Sequence, residues 1–116
     1  MLTEEEYIET TAAAELQALD GLWTYSIPDY VESRDFSYIQ RKTLFFWLFE
    51  RLLREGRIKL AKHGKFLEGS IDEQLERFQQ AFPKTEAEME DGIWFFDEAC
   101  PGGAVWVLED GTLEWT

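Results

Sequence analysis

The chain has 116 residues, a formal net charge of −13, 45% hydrophobic and 16% aromatic residues, and one cysteine. Five Trp, nine Phe and four Tyr supply a real core and argue against intrinsic disorder, and a length in the usual domain range predicts one domain over residues 1–116. The single cysteine excludes an internal disulfide, no run approaches the roughly 18–20 apolar residues of a membrane span, and the acidic start Glu4-Glu5-Glu6 is unlike a secretory signal, so a cytoplasmic protein is expected.

The charge is unevenly spread: residues 1–33 carry net −8, residues 34–65 net +6 and residues 66–116 net −11. Such a field repels nucleic acid and anionic membranes and attracts basic partners, subject to salt screening. The competing reading is that the acids only keep an aromatic-rich protein soluble.

In chain order, Thr3 with Glu6 is a capping-box pattern, and Ile8, Ala12, Leu16 and Leu19 recur at helical spacing. This predicts a helix over about 4–20, stopped at Asp20-Gly21. Residues 22–34 read as an ordered connection whose Trp23, Tyr25 and Tyr30 either cover the core or line a small pocket; covering the core is the favoured reading.

The run Leu44-Phe45-Phe46-Trp47-Leu48-Phe49, with Leu52 and Leu53, leaves no polar face in the middle of a helix over about 36–55. Other elements must surround it, so it is the expected core. Asp35 is the predicted N-cap and Gly56 the predicted stop.

Arg57 to Lys62 alternates basic and apolar residues, as in a short half-buried strand, and Gly64 suggests a turn. A helix followed by a basic strand superficially evokes a winged DNA-binding domain. Charge argues against it, because the acidic flanks are the nearest partners for Arg57, Lys59, Lys62 and Lys65. Ser70-Ile71-Asp72-Glu73 is a second capping box opening a helix over about 71–82, before Pro83.

Beyond Gly92 the composition turns β-like. Three short runs predict an antiparallel meander over about 93–97, 104–108 and 112–115, burying some of Trp94, Phe96, Trp106 and Trp115, with Asp110-Gly111 as a type I′ turn. The fold class expected is α+β: three main helices built on a central apolar one, then a three-stranded C-terminal meander.

Chemistry-bearing motifs are scarce. There is no phosphate-binding loop, dinucleotide glycine pattern or nucleophile elbow. His63 and Cys100 cannot form a zinc set by themselves, and as an exposed turn residue and a packed loop residue they are a poor nucleophile pair. Glu86, Glu88, Glu90 and Asp91, with Asp97 and Glu98, could attract a hard cation, but no twelve-residue calcium loop is present. Solvated charge, or a docking surface for a basic protein, fits them better. No cofactor, metal or catalytic activity is expected.

Taken together, Phe46-Trp47-Leu48-Phe49, Gly64-Lys65-Phe66-Leu67-Glu68-Gly69, Cys100-Pro101-Gly102-Gly103-Ala104-Val105-Trp106 and Asp110-Gly111-Thr112-Leu113-Glu114-Trp115 resemble the bacterial domain of unknown function 596 over nearly the whole chain. These are structural signatures, so no catalytic residue follows from them. The resemblance implies a small cytoplasmic protein of unassigned activity, some relatives being encoded beside polymorphic toxin genes, which would imply an immunity role. The expectation is an acidic module that binds a basic protein partner, such as a toxin domain. The alternative is a homo-oligomeric structural or regulatory protein, a homodimer in its simplest form.

Overall fold

A computed structural model describes residues 2–27 and 36–116. Helices α1 (Glu4–Ala14), α2 (Leu19–Tyr25), α3 (Tyr38–Arg54), α4 (Ile71–Ala81) and α5 (Glu86–Met89) combine with strands β1 (Ile58–Lys62), β2 (Lys65–Phe66), β3 (Gly103–Val107) and β4 (Leu113–Trp115) in an α+β fold. No described helix is long and apolar enough to cross a membrane.

The caps of α1 and α4 form as their sequences dictate: Thr3 and Ser70 each accept an amide while Glu6 and Glu73 reach back to the cap residue. The central helix has the same device, but its cap is Ser37 with Gln40. Asp35, the residue expected there, lies outside the described residues. Gly56, at φ 72°, ends the helix as predicted.

The first helix is shorter than its apolar spacing predicts. Chain direction changes after Ala14, with Leu16 at φ 70°, and a second helix starts at Leu19. Ile8 and Leu16 are exposed; Tyr7, Thr11 and Ala14 face the core instead, an equally helical spacing disguised by its threonine. Asp20 and Gly21 sit inside α2 rather than ending a helix. A Cβ on Gly21 would lie 2.5 Å from that of Gln17, so the corner closes only around glycine.

Helix α3 is the core. Phe45, Leu48, Phe49 and Leu52 are completely buried. Phe45 alone contacts the rings of Trp23, Phe46, Phe49, Phe82 and Phe95 at centroid distances of 5.2–5.8 Å. Stacked, edge-on and tilted ring pairs of this kind add roughly 0.5–1.5 kcal/mol each beyond the area they bury.

The sheet differs from the expected three-stranded meander. It has four antiparallel strands in the order β2-β1-β3-β4. The basic strand β1 lies in its interior, pairing Ile58 with Trp106 and Leu60 with Ala104. Residues 93–96, read as a strand, form a 3-10 turn within 90–96. Their bulky composition suits a strand, but Glu90, Asp91 and Gly92 all take left-handed backbone just before them and turn the chain away from the sheet.

Both hairpins form. His63 and Gly64, at φ 53° and 77°, make the two-residue turn between β1 and β2, the geometry expected at Asp110-Gly111. There only Gly111 has positive φ, and Gly111 N and Leu108 N donate to Leu108 O and Thr112 O. That pattern is a type I turn closed by a left-handed glycine.

Candidate protein-docking surface

The six carboxylates singled out in the sequence fall on one excursion of chain between α4 and β3. Thr85 caps α5, its hydroxyl accepting from Glu88 N at 3.2 Å, which sets Glu86 and Glu88 in the first turn. Glu90 and Asp91 then take φ 51° and 54°. Left-handed backbone costs a non-glycine residue roughly 1–2 kcal/mol, so it persists where surrounding contacts impose it. The contacts are clear. Met89, Trp94 and Phe95 are buried on either side, and Gly92 packs so closely on α2 that a Cβ would meet that of Asp20 at 3.3 Å.

All six carboxylates are exposed, and the structure gathers five of them, all but Glu90, into two groups. Glu86, Glu88 and Asp91 act on the start of α3. Burial raises the Tyr38 phenol to about 12, and the charges of Glu88 and Glu86 push the same way. Burial disfavours the charged form of Arg41, and Glu86 and Asp91 oppose that effect. The Arg41 guanidinium is held 4.3 Å from the Trp23 ring and donates to Trp23 O at 3.2 Å.

Asp97 and Glu98 belong to the next turn. Asp97 Oδ1 accepts from Ala99 N at 2.9 Å. Glu98 lies 3.0 Å from His63 Nε2 and 3.5 Å from Lys62 Nζ. The His63 hydrogen bond, then the Lys62 charge, hold its carboxyl below the usual range. Of the four bases expected to pair with the acidic flanks, Lys62 does so here, whereas Lys59 lies over the Phe66 ring at 5.4 Å. Pairing between segments also ties Arg51 to Glu4 and Arg54 to Asp72.

Two residues of this surface escaped the reading by composition. Ile93 and Phe96, three apart on the 3-10 turn, are 62% and 68% exposed among the carboxylates, while Trp94 and Phe95 between them point inward. Phe96 is one of four aromatics of which the sequence predicts that some are buried, and it is exposed. Of the four aromatics expected to close the core, Trp94 and Trp106 do so; Trp115 is half-exposed.

The other candidates are accounted for by packing. Cys100 is buried, its Sγ donates to Gly102 O at 3.3 Å, and burial pushes the thiol up to about 11. His63 pairs with Glu98 rather than with the thiol. Trp23 is buried under Arg41 and the rings of Tyr38, Phe45 and Phe82 rather than lining a pocket. Tyr25 is exposed, and Tyr30 lies outside the described residues. Among the described residues, no three His, Cys, Asp or Glu side chains converge to hold a metal ion.

Comparison with curated proteins finds no significant match. Among solved structures, an uncharacterised protein conserved in bacteria, from Neisseria meningitidis, superposes with a TM-score of 0.76 at 34% identity, covering 96% of this chain and 84% of its own. A family model described as "Protein of unknown function, DUF596" matches residues 53–116, from the end of α3 through β4. Three of the four sequence signatures, Gly64 to Gly69, Cys100 to Trp106 and Asp110 to Trp115, fall within that match, and the chain belongs to the DUF596 family.

Proposed function

We propose that the protein is a small acidic binding module that docks a basic protein partner through the surface formed by residues 86–98. The observation that carries this reading is the exposure of Ile93 and Phe96 amid Glu86, Glu88, Glu90, Asp91, Asp97 and Glu98. Solubility alone accounts for carboxylates, but it gives no reason to surround two large apolar side chains with them. The combination suits an interface in which charge steers encounter and a central apolar contact sets the lifetime of the complex.

Anchoring strengthens the case. Met89, Trp94 and Phe95 fix the segment to the core, so little conformational freedom remains to be lost on binding. A cytoplasmic immunity protein that covers the basic cleft of a toxin domain is the specific form of this reading.

The test is capture of partners from native-host lysate with the full chain as bait, at low and high salt, beside an Ile93→Ser/Phe96→Ser bait. A basic partner retained at low salt, weakened at high salt and lost with the double variant is expected. Capture indifferent to both salt and the variant would sink the proposal.

A further inference from the structure

The sheet has two edges, β2 and β4, and β4 leaves its outward main-chain groups open. Leu108 N donates to Thr112 O, which fixes the phase of the β3–β4 ladder and makes Trp106 and Glu114 a mutually hydrogen-bonded pair. Leu113 and Trp115 therefore turn their N–H and C=O groups away from β3. No described residue takes up these groups. Natural sheets commonly blunt such an edge with a lysine, a proline or a bulge; β4, three residues long, contains none of these and its one charge is Glu114.

Side chains along the edge are sorted by charge. Register puts Leu113 and Trp115 on the outer face of the sheet with Val105 and Lys59. On that face the Trp115 ring meets the Phe66 ring at 5.2 Å. Glu114 points to the opposite face, and exposed Glu109 and Asp110 stand at the start of the edge.

We infer that β4 is an acceptor for an extended peptide segment of a partner protein, one that alternates apolar and basic residues and adds a fifth strand to the sheet. Apolar side chains of the added strand would continue the Leu113–Trp115–Phe66 surface, and a basic one between them would stand beside Glu114. Main-chain bonds supply affinity in such strand addition and alternate side chains supply specificity. Charge also selects against a second copy of the chain. The antiparallel β4–β4 register using the open groups of both Leu113 and Trp115 sets Glu114 directly opposite Glu114, an unfavourable pair between two molecules each of charge −13. The inference stands on the strand register and does not depend on the surface at residues 86–98.

The experiment titrates the full chain with a short capped peptide alternating Lys and Val, following amide resonances by NMR and affinity by fluorescence anisotropy. The expected result is saturable binding centred on the Leu113 and Trp115 amides. Leu113→Pro removes an N–H that the fold does not use, as proline on a sheet edge allows. It should weaken binding roughly three- to tenfold relative to Leu113→Ala, as loss of one main-chain hydrogen bond implies.

Glu114→Lys should turn the preference toward a Glu/Val peptide. A Lys/Val peptide N-methylated at alternate residues should not bind, and this arm stands even if Leu113→Pro fails to fold. Absence of binding by the unmodified peptide, or equal binding by the methylated one, overturns the inference. Concentration-dependent dimerisation that protects the Leu113 and Trp115 amides also overturns it, by making a second copy the occupant.

Discussion

The indole Nε1 of Trp106 donates to the backbone carbonyl of Gln17 at 2.8 Å, joining the centre of the sheet to the corner between α1 and α2. The bond depends on a tight bend, because Gly21 is packed against Gln17 itself. Gly21→Ala would place a methyl group 2.5 Å from Gln17 Cβ, which is part of the rigid base of that side chain. Overpacking of this kind costs roughly 1–3 kcal/mol. Chemical denaturation should show that loss together with altered tryptophan emission, and Gln17→Gly in the same chain should recover part of it.

Phe45→Ala should be the most damaging of the changes considered, at about 3–5 kcal/mol, because a fully buried ring in contact with five others leaves a cavity that they cannot collapse into. Denaturant midpoints compared with Phe45→Leu separate cavity formation from loss of the ring contacts.

Ile93→Ser and Phe96→Ser, in contrast, should shift stability by no more than about 0.5 kcal/mol, since both side chains already face water. Thermal unfolding checks this. A large loss would mean that these residues hold the 3-10 turn together rather than present it.

Stability should decline on the alkaline side. Burial raises the Cys100 thiol from 9.0 to about 11, and burial, assisted by neighbouring carboxylates, raises Tyr7 and Tyr38 from 10.0 to about 12. In each case the folded protein holds the proton more tightly than the unfolded chain. The contribution is fully present below pH 9 and is lost as pH rises between 9 and 12. Denaturation across that range should show it, with Cys100→Ala flattening the portion between 9 and 11.

Arg51 lies 3.6 Å from the Tyr7 ring centroid and binds both Glu4 and Glu55, while the Tyr7 hydroxyl donates to Glu55 at 2.8 Å. Tyr7→Phe should cost about 0.5–1.5 kcal/mol by removing one hydrogen bond. Arg51→Lys should weaken the same seam between α1 and α3, because an ammonium does not reproduce a planar fork stacked on a ring. A double-mutant cycle measures the coupling.

What could be read from the sequence was local. Thr3 with Glu6 and Ser70 with Glu73 each act within one helical turn, and the apolar run from Leu44 needs only the rule that such a helix must be enclosed. Misreadings arose where distant contacts override composition. Ile93-Trp94-Phe95-Phe96 has strand-forming residues, yet the left-handed backbone at Glu90 and Asp91 is imposed by packing against α2. Alternation in β1 was visible, but its pairing with β3 was not, because the complement lies far along the chain. The six carboxylates were visible as charge; what surrounds them became apparent only with Ile93 and Phe96 turned outward.

The position of β1 inside the sheet has a consequence for biosynthesis. Its principal partner, β3, starts at Gly103 whereas β1 ends at Lys62. At roughly 5–20 residues per second, the nascent chain carries a half-paired apolar strand for seconds before the ribosome has made the segment that closes it. During that interval Lys59 and Lys62 are the residues within β1 that discourage association with other nascent chains. A message truncated before Gly103 should therefore yield an aggregation-prone product, and Lys59→Val should lower the soluble yield of the full-length protein more than it lowers the stability of what folds.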